Sequence, residues 1–231
     1  MLLFLLICFI AYVAYKYTTN NKGAHPDAPR GSQFFTKRSD LRGALGERTV
    51  QADLRTILNS ICGEDFYLSP GPLLLNHAPG TEFPTAEVDH LAITPFGVFL
   101  VETKHWSGRI SAGSTTSKLY RLSPDGTSEE RRSPLAQNRS KVAFIKTLLP
   151  ADWIVRGVGV FSAPDVHIDS TLPLDLICRD EAYHWFRCQQ AAHRNSGKPR
   201  IQINTAKGAI LNETDASHTA IRNHIERTSK A

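Results

Sequence analysis

The stretch that most constrains this chain is Glu87-Val-Asp-His-Leu-Ala-Ile-Thr94, then Pro95-Phe96-Gly97, then Val98-Phe-Leu-Val-Glu-Thr-Lys-His105. Two runs rich in Val, Leu, Ile, Phe and Thr flank a proline and a glycine, the signature of a tight β-hairpin. Glu102 and Lys104 are two apart and leave the same strand face,. They close a very apolar run, so a charged pair there must emerge at a sheet end. Asp89 lies on the partner strand, also far from the turn, and hairpin closure alone brings it near them. Register decides which side chains face each other. A two-residue loop of Phe96 and Gly97 sets Asp89 opposite Lys104 and Leu91 opposite Glu102, whereas a three-residue loop sets His90 opposite Glu102,. Pro-Phe-Gly suits either.

Two carboxylates and an amine at one sheet edge match what phosphodiester hydrolysis needs. Hard carboxylate oxygens hold Mg²⁺ or Mn²⁺, and an ammonium pairs with phosphate or helps activate water. The same three residues also compose a common surface ion pair beside an Asp, worth little energetically.

The rest of the sequence builds around the hairpin. Leu45, Val50, Leu54, Ile57, Leu58 and Ile61 recur at helical spacing and predict an amphipathic helix from near Gly43 to before Gly63, with Glu47 on its first turn,. Short strands are expected at Phe66 to Leu68, Leu73 to Asn76, Ile110 to Ala112 and Leu119 to Leu122, followed by a charged loop ending at Arg132,. Pro134 opens a helix that runs to Leu149,. Further on, strands near Ile154 to Ser162 and Leu174 to Cys178 precede helices at Asp180 to His193 and Asp215 to Arg227. The expected architecture is a mixed α/β sandwich of mostly antiparallel strands. Residues 151–231 are expected to complete the core begun by residues 41–150,.

Met1 to Tyr15 carries no charge, and Lys16 ends the run. Residues 1–17 reach the short end of the ~17–25 residues that cross a bilayer as helix and are expected to form one transmembrane anchor, ahead of a cleaved signal peptide,. Lys16, Lys22, Arg30, Lys37 and Arg38 follow this segment and no side-chain cation precedes it, which places the bulk of the chain on the cytoplasmic side of a cell's inner membrane,. Residues 18–40 are polar and rich in Gly, Pro, Asn and Ser, and are expected to be a linker,. Lys and Arg outnumber Asp and Glu by 27 to 22, for a net charge of +5, which favours an anionic partner such as nucleic acid or lipid head groups,. Cys8, Cys62, Cys178 and Cys188 show no C-x-x-C spacing, so they suggest neither a zinc cluster nor a disulfide framework,.

Four ordered blocks carry a family resemblance: Gly43-x-x-Gly46-Glu47-x-x-Val50; Val88-Asp89-His90; Gly97-Val98-Phe99 leading to Glu102-Thr103-Lys104 and Trp106-Ser107-Gly108; and Ser133-Pro134-Leu135-x-Gln137-Asn138. Over about Leu41 to Leu149 the chain resembles the nuclease-related domain (NERD) family, which is similar to the PD-(D/E)xK nucleases. The resemblance implies a restriction-endonuclease-like sheet flanked by helices, with Asp89, Glu102 and Lys104 as the catalytic set and Asp89 and Glu102 on Mg²⁺ or Mn²⁺. It also implies Glu47 as an accessory acid and Gln137 as a residue completing the site. A nuclease acting on DNA ahead of RNA is expected; the alternative is an inactive nuclease-fold module that docks nucleic acid or protein at the membrane. His90 and His105 are general-base candidates that more commonly serve as hydrogen-bonded residues. Trp106 is expected to pack over the sheet edge rather than stack on a base. Arg131, Arg132, Arg139 and Lys141 on one side, and Lys37, Arg38, Arg42 and Arg48 on the other, either follow a phosphate backbone or form a solvated basic face,.

Overall fold

The structure, a computed structural model, describes residues 38–215, 219–220 and 223–224. The expected anchor at residues 1–17, the polar segment up to residue 37 and most of the expected last helix lie outside the described residues. No helix among the described residues is long and apolar enough to cross a membrane.

Helix α1, Arg38–Cys62, begins earlier than the apolar period indicates, which puts Glu47 in its interior rather than on its first turn. Apolar spacing marks only the part of a helix that packs; the polar turn ahead of Gly43 leaves no such trace. Val50, Leu54 and Leu58 form the buried stripe,. Gly46 is required by close approach: a Cβ there would lie 2.5 Å from Ser162 Oγ and 3.0 Å from His105 Cβ.

The expected strand from Glu87 to Thr94 is two strands. β1 is Tyr67–Leu68 and β2 is Leu73–Leu75. β3, Ala86–Val88, pairs with β2, whereas β4, His90–Thr94, pairs with β5, Gly97–Lys104. Asp89 sits in the break, where its Oδ2 accepts the Thr103 N–H at 2.8 Å in place of a backbone carbonyl.

The hairpin adopts neither expected register. Thr94 pairs with Gly97 and His90 with Val101, so the loop is Pro95-Phe96. Two contacts select it. Phe96 is buried with its ring centroid 5.7 Å from that of Phe99. Gly97 admits the same ring, which a Cβ would meet at 2.4 Å. Thr94 closes the turn, its hydroxyl donating to the Gly97 carbonyl at 3.0 Å and accepting the Phe96 N–H at 3.3 Å. In this register Leu91, Ile93, Val98 and Leu100 line one core and Ala92, Phe99 and Val101 the other.

The outer layer follows: β6 is Gly108–Ala112, β7 Lys118–Leu122 and β8 Ser128–Arg132, with α2, Pro134–Leu148, after them. β8 corrects the expected charged loop. Its residues pair across to β7 through charge rather than apolar contact, as in Lys118 with Glu130 and Arg121 with Glu129,. β9, Val155–Phe161, runs parallel to β5; β10, Val166–Ile168, which the sequence did not reveal, runs parallel to β6; and β11, Leu176–Cys178, runs parallel to β9. A 3₁₀ turn, Arg179–Glu181, leads into α3, Ala182–Asn195, and the unforeseen α4 is Ile203–Leu211.

The main sheet has the order β1-β4-β5-β9-β11, antiparallel on one side of β5 and parallel on the other; strands β1 to β8 pair with one another antiparallel, as expected, and the parallel pairings all involve β9, β10 or β11. Parallel pairing of β5 with β9 needs a crossover, and α2, packed on both strands, lies in the connection between them,. α1 and α3 bring Leu54, Trp185 and Phe186 to one face. α2 and α4 bring Ile145, Ala206 and Ile210 to the other. The outer sheet, order β10-β6-β7-β8, has a smaller core around Ile110, Leu119 and Phe161. The described residues are thus a mixed α/β domain with its central sheet covered by helices on both faces.

Candidate functional site

β5 carries the site at its C-terminal end. Alternation sends Phe99, Val101 and Thr103 toward α1, and Leu100, Glu102 and Lys104 toward α2. On α2, Gln137 and Lys141 are four residues apart and meet them on one helix face,. The Lys104 ammonium donates to Glu102 Oε1 at 2.8 Å and to Gln137 Oε1 at 3.1 Å. The Lys141 ammonium donates to Glu102 Oε2 at 2.8 Å and to the Glu87 carbonyl at 2.8 Å. Asn138 fixes the helix to the strand by donating from Nδ2 to the Leu100 carbonyl at 2.9 Å.

Glu102 is therefore a buried carboxylate with an ammonium on each oxygen. Burial alone raises its pKa, but Lys141 and Lys104 outweigh that and hold it below the usual carboxylate range,. Asp89 goes the other way: burial first, then the charge of Glu102, push it up to about 7 against the Thr103 N–H and the two lysines. The environments of the two neighbouring carboxyls thus push their pKa values in opposite directions,. Glu47 belongs to the same electrostatic group. Its pKa is raised by burial and by Glu87, with Lys104 opposing and Glu102 adding to the rise.

All five expected site residues thus fall at one end of the sheet. Lys141 is the functional candidate that sequence reasoning misplaced: it is 4% exposed and belongs to the charge cluster, not to a solvated basic face. Its four-residue spacing from Gln137 was the available signal.

His90 and His105 are both hydrogen-bonded, and His105 also lines the cleft beside the charge cluster. His90 is buried between Gln51 Oε1, 2.7 Å from Nδ1, and Thr103 Oγ1, 3.1 Å from Nε2, and burial lowers its pKa to about 4. His105 Nδ1 lies 3.0 Å from Ser162 Oγ. Trp106 packs on Phe161 with ring centroids 5.6 Å apart, at the sheet edge as expected. Arg42, Arg48, Arg131, Arg132 and Arg139 are exposed, Arg131 paired with Glu129 at 2.6 Å.

A cleft of about 510 Å³ opens beside this cluster. Arg42, Lys104, Arg121 and Arg131 line it against the carboxylates of Glu47 and Asp165. Its surplus of cations suits an anionic strand.

Among the described residues, no three His, Cys, Asp or Glu side chains form a metal cage. Of the two expected ligands, Glu102 has an ammonium on each oxygen, whereas Asp89 has one oxygen on the Thr103 N–H. Mg²⁺ commonly binds through one or two carboxylates plus water and substrate phosphate. Asp89 has a second oxygen beside the one bonded to Thr103, and its pKa is raised first by burial and then by the charge of Glu102.

A helix-covered α/β sheet with a buried acid-and-lysine cluster at the mouth of a cationic cleft defines a nuclease-related class of domain. The family model for the nuclease-related domain matches residues 42–162, just over half of the chain, and the chain belongs to that family, which is similar to the PD-(D/E)xK nucleases. The matched span runs from α1 through β9, so it contains every residue of the cluster. No curated protein and no solved structure matches the chain.

Proposed function

We propose that the chain is a membrane-tethered, Mg²⁺- or Mn²⁺-dependent phosphodiesterase with a restriction-endonuclease-like core, acting on nucleic acid, DNA ahead of RNA. The observation that carries this is the gathering of Asp89, Glu102, Lys104 and Gln137 at one sheet end, with Lys104 reaching a cationic cleft. Asp89 and Glu102 would hold the cation, which supplies charge that polarises the phosphate and stabilises the negative charge developing on it. Lys104, fixed by Glu102 and Gln137, orients the attacking water and pairs with a phosphate oxygen. The water oxygen bonds to phosphorus, the ester P–O bond breaks, and the water proton passes to the leaving alkoxide. Glu47 serves as accessory acid at the cleft wall. The uncharged segment from Met1 to Tyr15 supports the tether, with the domain on the cytoplasmic side,.

One observation favours a second reading. Both Glu102 oxygens are already engaged by ammoniums, an arrangement that also suits a module that binds without turnover. The experiment is cleavage of labelled single- and double-stranded DNA and RNA by the full-length chain with Mg²⁺, Mn²⁺ or EDTA, beside Lys104→Ala. Metal-dependent cutting that falls by at least about a hundredfold in the variant is expected, the scale of losing one preorganised donor to the charge developing in the transition state. If neither protein cuts while both bind alike, the domain is a docking module.

A further inference from the structure

The inner face of the outer sheet changes character along its length. Ile110 and Leu119 pack on Phe161, whereas Arg121, cross-strand from both Ile110 and Glu129, carries the same face toward the cleft. Arg121 is held on three sides: Nε donates to the Ser107 carbonyl, one terminal nitrogen to Ser107 Oγ and the other to Glu129 Oε1, each at 3.0 Å. A guanidinium has five N–H groups, so one on each terminal nitrogen has no partner among the described residues. Its side chain is only 19% exposed, and Ser107 lies three residues beyond Lys104. The result is a pre-oriented guanidinium with two N–H groups to spare, lining the same cleft as Lys104, and guanidinium is well suited to phosphate recognition,.

We propose that Arg121 binds a phosphate adjacent to the one Lys104 addresses, so that the site takes a polynucleotide strand rather than a terminal or isolated phosphodiester. This rests on the nuclease reading above. Arg121 is then a substrate-binding residue supplied by the outer sheet, and Glu129 has two effects: it orients the guanidinium and competes with the strand for it.

The competing account makes Arg121 and Glu129 merely a cross-strand ion pair, and the two accounts separate on the direction of two variants. Binding of a labelled oligonucleotide to the full-length chain in EDTA is measured by fluorescence anisotropy over a series of salt concentrations, for the wild type, Arg121→Gln and Glu129→Gln. Arg121→Gln is expected to raise Kd about ten- to hundredfold, the worth of hydrogen bonds to a charged group, and to flatten the salt dependence by about one phosphate contact. In cleavage it raises KM more than it lowers kcat. Glu129→Gln removes the competing carboxylate and is expected to tighten binding. If both variants weaken binding alike, or neither changes it, the inference is overturned while the nuclease reading stands. If Arg121→Gln does not fold, Arg121→Lys decides, because Glu129 also holds Arg131 of the same cleft: weaker binding with the charge kept supports the assignment, and unchanged binding refutes it. A wild type that neither binds nor cuts nucleic acid removes the nuclease reading and this inference together.

Discussion

Glu102 and Glu130 are the same residue type with a lysine on each, in two layers of the molecule, and they are not equivalent. Glu102 lies in the main sheet, 6% exposed, between Lys104 and Lys141. Glu130 lies on the edge strand of the outer sheet, bonded to Lys118 at 2.7 Å and to the Ser114 N–H at 2.7 Å. Both are held below the ordinary carboxylate range, Glu130 to about 2 by Lys118 and then Ser114. A lowered pKa is therefore no measure of what a pair contributes. Water screens the outer pair in either state of the chain, whereas no water can take over from an ammonium removed beside Glu102.

The largest expected effect breaks the inner pair. Lys141→Met keeps the length and apolar stem but leaves Glu102 with one counter-ion and the Glu87 carbonyl without its donor. A loss of about 3–5 kcal/mol in a urea unfolding series is expected, the cost of stripping one partner from a buried ion pair. Lys141→Met combined with Glu102→Gln should recover part of it. Equal losses in the single and double variants would mean that Lys141 acts by packing alone.

Smaller, and specific to the inner layer, is a pH effect. His90 is neutral when folded, with its pKa lowered from 6.5 to about 4 by burial. The unfolded chain takes up the proton first, so this contribution is fully present above pH 6.5 and is lost as pH falls toward 4, by about 3 kcal/mol at most,. Asp89 opposes it: its raised pKa makes stability fall as pH rises from about 4 to about 7,. Asp89→Asn, unfolded in EDTA at several pH values, removes the opposing slope. Its stability should climb between pH 4 and 6.5 more steeply than that of the wild type; a flat profile would show His90 to be solvated.

The same contrast explains what the sequence disclosed. The inner layer announces itself because its strands are apolar runs, and Glu102 and Lys104 stand out against Val98 to Val101. Asp89, Glu47 and Gln137 were legible through their ordered blocks. The register was not, because it turns on Phe96 entering the core and Gly97 yielding to the Phe99 ring, both contacts made in three dimensions. Lys141 was hidden for a related reason: a buried lysine looks like a surface lysine until its carboxylate partner is placed beside it. β8, Ser-Glu-Glu-Arg-Arg, has no apolar alternation, since its pairing is charge to charge and both of its faces are largely wet. Strand Val166–Ile168 is too short to establish a period and forms because the longer Gly108–Ala112 templates it.

The smallest expected effect completes the comparison. Glu130→Ala removes the acceptor for both Lys118 and Ser114 on the edge strand, where the Glu130 side chain is 22% exposed. Melting at physiological salt should show no shift beyond replicate scatter, because at a Debye length of about 8 Å the exposed charges interact weakly and water replaces each lost bond. The backbone ladder from Lys118–Arg132 to Leu122–Ser128 remains, so the strand should keep its place. Amide hydrogen exchange across β7 and β8 checks that directly. Faster exchange in Glu130→Ala would mean that the ion pairs hold the outer sheet together, and the two carboxylates would then differ in degree rather than in kind. Unchanged exchange, set against the loss in Lys141→Met, would show that burial rather than pairing gives such a carboxylate its structural weight.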